Sequence, residues 1–241
     1  MVWYRTPARR VMLRLVAVAD VTTIEEHTFL TGPLGQHATV LDFGANRGRF
    51  ACQIVERFGC RCLAVEPVPE YAQGIPAHIP VHELAIGGRN QPSSFHVSDD
   101  PECSGLRGSG AIIRIERVRE STLDTFLGEQ GLAAVDLVKV DIEGAEKELF
   151  TAASDDALLR VAQFTVEFHD FLGLLSRQDV TSIVERLNSL GFHGIKFTRT
   201  NRNWLFFQPW RCGVDHPLVL RYVTRNALYV ARNARRLLRS P

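Results

Sequence analysis

Thr39-Val40-Leu41-Asp42-Phe43-Gly44-Ala45-Asn46-Arg47-Gly48 reads as a short apolar strand running straight into a turn that holds two glycines. Glycine carries no Cβ, so such a turn between a first strand and its helix lets backbone approach a ligand closely. Between the glycines stands Asn46, the non-glycine residue type that best tolerates left-handed φ. Residues 49–58 follow as a helix, with Phe50, Ile54, Val55 and Phe58 on one face. Gly59 ends it, and residues 61–66 form the next strand, stopped by Pro67. Strand, turn, helix and strand in this order predict a parallel sheet with a right-handed crossover.

The acids around the turn narrow the ligand. A nicotinamide dinucleotide fingerprint would read Gly-x-Gly-x-x-Gly. Here Gly44 and Gly48 are separated by three residues, and Asp42 lies ahead of both. Asp42 would repel a pyrophosphate. It suits a cofactor with a cationic or amine-bearing end, such as the methionine part of S-adenosylmethionine. Glu66 closes the second strand, where an acidic side chain can accept hydrogen bonds from both ribose hydroxyls. Further along, Leu137-Val138-Lys139-Val140-Asp141-Ile142-Glu143-Gly144-Ala145-Glu146 reads as a strand ending at Asp141, with Glu143 and Gly144 opening a helix. Ligands of open α/β sheets sit outside the carboxyl ends of the strands, so Asp141 and Glu143 border the cofactor's reactive end. Singly, Asp42 serves as well as a helix cap, and Glu66 as a solvated carboxylate. The set on correctly placed elements points to a cofactor site. Its expected contacts are Asp42, Gly44, Ala45, Asn46, Gly48, Glu66, Pro67, Asp141 and Glu143.

Outward from this core the pattern continues. Strands are expected over 79–84, 111–119, 135–141 and 162–168, and helices over 121–129, 143–152 and 179–190. Residues 88–110 are rich in Gly, Ser, Pro and Asp and read as loop, with one short strand at 94–97; Ser104, Gly105 and Leu106 within it are placed to close over the ligand. Strands over 192–198 and 203–208 are joined by the polar turn Arg199–Arg202, which forces antiparallel pairing. Residues 1–38 read as an N-terminal helical extension, with helices over 8–19 and 22–31. Arg5, Arg9 and Arg10 ahead of an apolar run resemble a signal peptide, but Arg14 interrupts that run. Residues 209–241 read as a basic helical tail. Over 218–239 it carries Arg221, Arg225, Arg232, Arg235, Arg236 and Arg239, and it suits either docking on the domain or peripheral contact with an anionic membrane.

Bulk composition bounds the function classes. The chain has 241 residues, 45% hydrophobic and 23% charged, as expected for one ordered domain with appendages. Its 28 basic and 27 acidic side chains give a formal net charge of +1, which offers no electrostatic footprint for nucleic acid. No apolar run is long enough to span a membrane. The five cysteines lack zinc-ligand spacing and do not suggest a disulfide framework. A cytoplasmic enzyme, at most peripheral at the inner membrane face, is the expectation.

"VLDFGANRG", "AVEPVPE", "STLDTFL", "LVKVDIEGAEKELF" and "TVEFHD", in this order, resemble the FkbM family of S-adenosylmethionine-dependent methyltransferases over roughly residues 38–170. The resemblance implies a class I methyltransferase fold, Rossmann-like: a three-layer α/β sandwich on a mostly parallel seven-stranded sheet with an antiparallel last strand. The methyltransferase domain would span 39–208. The resemblance also implies O-methylation, often of a hydroxyl on a sugar, glycolipid, polysaccharide or polyketide; the alternative of another class is a binding module that keeps the fold and has lost transfer, against which the intact acid and glycine positions count. A hydroxyl is a poor nucleophile at neutral pH, so a general base or a metal would help. Asp141, Glu167 and His169 are the candidates, all at strand carboxyl ends, with alternation placing Glu167 and His169 on one side of an extended strand. Either His169 is the base and the carboxylates orient it, or the three ligate a divalent cation. The blander alternative is a His169 that only packs. The other histidines show no spacing that supports a role.

Overall fold

The computed structural model of the protein describes residues 21–107 and 109–214. An N-terminal hairpin comes first, β1 (Val21–Ile24) and β2 (His27–Leu30). Then follow β3 (Thr39–Phe43), α1 (Arg49–Phe58), β4 (Arg61–Val65), α2 (Pro69–Ala72) and β5 (Val81–His82). Three strands form a side sheet, β6 (Ala85–Ile86), β7 (Pro92–Ser98) and β8 (Ile112–Ser121). The remainder is α3 (Leu123–Glu129), β9 (Leu137–Val140), α4 (Glu146–Ala152), α5 (Asp155–Leu159), β10 (Gln163–Val166), α6 (Arg177–Ser189), β11 (His193–Lys196) and β12 (Trp204–Phe207).

The main sheet has seven strands in the order β11-β12-β10-β9-β3-β4-β5. All neighbours pair in parallel except β12, which runs antiparallel to both β10 and β11. This is the expected class I arrangement, with its last strand inserted in reverse. Two apolar layers flank it. On one face Leu41, Phe43, Val138, Val140 and Phe164 meet α3 through Phe126, α4 through Phe150, and α6 through Ile183 and Leu187. On the other, Val40, Ala64, Leu137, Leu205 and Phe207 meet α1 through Phe50 and Ile54. Parallel strands covered on both faces need near-continuous apolar runs, and β3, β4 and β9 have them.

The second face carries the main departure from expectation. Residues 22–31 are not a helix; Ile24, Phe29 and Leu30 of the β1–β2 hairpin pack there beside α1. Gln163 of β10 secures the hairpin, accepting from the Leu30 N–H at 2.8 Å and donating to the Leu30 carbonyl at 2.9 Å. The local reason is composition: Val21, Thr22, Thr23, Ile24 and Thr28 are β-branched and suit a pleated surface. The two-residue turn has φ 43° at Glu25 and 65° at Glu26, left-handed positions that Asn-Gly normally announces. Hence the N-terminal extension is not wholly helical, and its hairpin belongs to the sheet's own core. Smaller corrections follow the same logic. The strand at 94–97 runs over the whole of β7, and β10 stops at Val166, short of 168. The first tail residues, 209–213, are turn. The helix expected over 8–19, the signal-like stretch and the basic helix over 218–239 lie outside the described residues.

Candidate active site

A cavity of about 630 Å³ opens at the carboxyl ends of β3, β4, β9 and β10, where such sheets bind ligands. The turn after β3 forms its floor. Gly44 (φ 75°) and Ala45 donate their N–H groups to the Val65 carbonyl at 3.1 and 3.0 Å. A Cβ on Gly44 would lie 1.8 Å from the Asp141 carbonyl oxygen, so no other residue fits between the two loops. Asn46 takes φ 49°, the left-handed conformation expected of it. Gly48, at φ 76°, starts α1 and packs against Ile75 instead of facing the cavity.

Glu66 stands at one end. It is 5% exposed, and its two oxygens accept from the Asn46 N–H at 2.8 Å and the Val68 N–H at 2.9 Å. Each carboxylate oxygen retains a further lone pair, enough for a vicinal diol. Burial pushes its carboxyl up to about 7, against the two N–H bonds that favour the charge. Tyr71, Asp100, Pro101, Cys103 and Ser104 line the wall beside it.

Beneath the floor lies a buried ion cluster. Lys139 Nζ is 3.1 Å from Asp42 Oδ1 and 3.5 Å from Asp141 Oδ2, and donates to the Gly44 carbonyl at 2.9 Å. The register of β3 with β9 sets Asp42 directly beside Lys139. Burial opposes a charged Lys139, but Asp42 and Asp141 outweigh it and hold its pKa above the usual range. Burial likewise pushes Asp141 up; Lys139 and His27 overcome that and keep it well below the usual carboxylate range. His27 Nε2 sits 3.5 Å from Asp141 Oδ2, and burial lowers the pKa of the ring.

At the other end, His169 lies between carboxylates. Its Nδ1 is 2.8 Å from Glu146 Oε1; its Nε2 is 3.3 Å from Glu143, 3.7 Å from Asp141 and 4.0 Å from Glu167. Burial works against the charged ring, but the bonds to Glu143 and Glu146 prevail and push it up to about 11. A ring that donates from both nitrogens has no lone pair to take a proton, so this setting favours a donor's part for His169 over the expected one of base. Burial and the Asp141 charge push Glu167 up to about 7, with His169 and Arg202 pulling the other way. Arg202 stacks over Phe171 at 4.1 Å, its Nε 3.8 Å from Glu167.

The structure therefore brings Asp141, Glu143, Glu167 and His169 together as expected, by a different path. His169 arrives on the 3-10 turn His169–Leu172, not by strand alternation. Asp42 is fully buried under Gly44 and does not line the cavity, so the expected contact with a cofactor amine is replaced by the pair with Lys139. Pro67 is also outside the lining. Ser104 faces the cavity, while Gly105 packs on Glu143 and Leu106 on the side-sheet core. The expected cation set Asp141, Glu167 and His169 is split: donor atoms within 4.8 Å of one another come from His27, Asp141 and Glu167, or from Asp141, Glu143 and His169. Sequence reasoning missed His27, Lys139, Phe171 and Arg202. Lys139, a charge in an otherwise apolar strand, was the one visible signal.

Comparison with known proteins gives the following matches. The family described as methyltransferase FkbM domain matches residues 42–193, more than half of the chain. AMB antimetabolite synthetase AmbE of Pseudomonas aeruginosa is 26% identical over 178 residues, a match taking in 55% of this chain and 8% of that much longer protein. Among solved structures, a precorrin-6y C5,15-methyltransferase from Geobacter metallireducens aligns at 12% identity and TM-score 0.40, covering 86% of this chain and 90% of that one. A methyltransferase from Pyrococcus furiosus aligns at 14% identity and TM-score 0.39, covering 86% and 88%.

Removing the buried ammonium tests the ion cluster. Lys139→Met should lower unfolding free energy by about 3–5 kcal/mol, because it strands the buried Asp42 and takes the partner from the half-buried Asp141. Urea denaturation reads this; a loss below about 1 kcal/mol would show the cluster is not holding the floor.

Proposed function

The chain belongs to the methyltransferase FkbM family, S-adenosylmethionine-dependent methyltransferases, and on that premise we propose that it methylates a hydroxyl oxygen. The acceptor we favour is a sugar of a glycolipid, polysaccharide or other glycoconjugate. One observation carries the choice of oxygen: Glu167, a carboxylate poised near pH 7, faces the same cavity as the cofactor carboxylates. A general base works best with a pKa near the operating pH.

The residues present fit the cofactor. Glu66 keeps free lone pairs for both ribose hydroxyls, and Glu143 Oε2 is buried without a hydrogen-bond partner among the described residues. Bound there, S-adenosylmethionine supplies an electrophilic methyl group with its leaving group already attached. The protein then has three tasks. Glu66 fixes the ribose. Asp141 and Glu143 offer negative charge to the cationic end. Glu167 would take the proton that the acceptor hydroxyl gives up on methylation. Because the proton goes to Glu167, this route needs no divalent cation. A polyketide or other small-molecule hydroxyl would meet the same groups. Labelled methyl transfer onto cell-envelope glycans and onto polyketide hydroxyls distinguishes the two acceptor classes.

Two expectations follow. Glu66→Gln keeps one of the two backbone hydrogen bonds, turns an NH2 toward the other N–H and loses the charge, so S-adenosylmethionine should bind weaker by about 1–3 kcal/mol. Unchanged affinity in calorimetry would remove the ribose assignment. Glu167→Gln should lower kcat by about 10²–10⁴-fold with cofactor affinity unchanged. In the parent protein the rate should rise with pH through about 7 as Glu167 loses its proton, and should persist after dialysis against EDTA. A variant with full turnover, or a flat pH profile, would exclude Glu167 as base.

A further inference from the structure

Glu146, the first residue of α4, is a carboxylate with no exposed surface. A charge taken out of water is costly unless it is paired and hydrogen-bonded. Glu146 Oε1 has two such partners: it accepts from the Gly144 N–H at 3.2 Å and lies 2.8 Å from His169 Nδ1. The first anchors a turn in which Glu143 (φ 50°) and Gly144 (φ 94°) are both left-handed, a conformation that is strained for glutamate. The second fixes the plane of a ring that is itself 2% exposed. The far nitrogen of that ring then reaches Glu143 at 3.3 Å and Asp141 at 3.7 Å. Both carboxylates line the cavity; Glu146 does not. So one buried acid controls the two cavity acids by two routes, through the backbone of the Glu143–Gly144 turn and through the imidazole.

We propose that Glu146 is a positioning residue for the cofactor: acting through His169, it holds Glu143 and Asp141 turned toward the cationic end of S-adenosylmethionine. Asp141, Glu143 and Glu167 crowd the same space and repel one another. A ring that donates toward Glu146 on one side and toward these acids on the other keeps them together. A glutamine at 146 could still accept both N–H groups, so packing alone does not call for a carboxylate there. The charge matters because it favours the doubly donating ring. The proposal rests on the family's cofactor and does not depend on which acceptor is methylated.

The test compares Glu146→Gln, His169→Gln and the double variant in full-length protein, with S-adenosylmethionine affinity read by calorimetry at pH 7.5. Glu146→Gln should remain folded and bind about tenfold more weakly. The double variant should bind no more weakly than the poorer single variant, because Glu146 acts through His169. Wild-type affinity in Glu146→Gln, or losses that multiply in the double variant, would overturn the proposal. A second reading needs no variant. Long-range proton–nitrogen NMR of the wild-type imidazole should show His169 with both nitrogens protonated; a ring protonated on one nitrogen only would overturn it as well. The kcat loss in Glu167→Gln is read apart from S-adenosylmethionine affinity in Glu146→Gln, so the two readings fail separately.

Discussion

A single buried ammonium holds the site together. Lys139 reaches from β9 to Asp42 on the neighbouring strand, to Asp141 at its own strand end, and to the Gly44 carbonyl. Each carboxylate would be costly to bury alone. Joined to Lys139, they allow the loops after β3 and β9 to approach so closely that a Cβ on Gly44 would overlap the Asp141 backbone. The cavity floor is this contact. Remove its neutralising charge and the two loops have reason to part, which is why the strand-end acids and the glycine turn act as one unit.

The same arrangement divides the carboxylates by role. Asp141, beside Lys139 and His27, stays ionised. Glu167 is farther from that ammonium, and burial together with the charge on Asp141 raises it to about 7. Glu66, at the opposite end, is raised by burial but steadied by two backbone N–H groups. In the proposed reaction it is environment, not residue type, that makes one glutamate the hydrogen-bond acceptor for a ribose and another the proton acceptor. His169 belongs to this scheme as a cation between acids.

Much of this was legible in the sequence. The order of strands and helices gave the parallel sheet, the Arg199–Arg202 turn gave the reversed last strand, and the acids at strand ends marked the cavity rim. What was hidden depended on contacts far apart in the chain. Glu25-Glu26 conceals a turn that Asn-Gly would have declared, so the hairpin and its His27 were read as helix. The sequence points Asp42 at the cofactor because its partner, Lys139, lies 97 residues further on (139 − 42) and looks like one more strand residue. His169 was brought to Glu167 by alternation, whereas a 3-10 turn does that work. Its charge is favoured by Glu143 and by Glu146, and no local pattern announces the burial of Glu146.

In the proposed function this acidic rim grips an adenosyl cofactor by its ribose and by its amino-acid end. A crystal structure with S-adenosylhomocysteine would then show both ribose hydroxyls on the Glu66 carboxylate, with the homocysteine moiety lying toward Asp141 and Glu143. An adenosine bound elsewhere, or a ribose with Glu66 turned away from it, would rule this grip out.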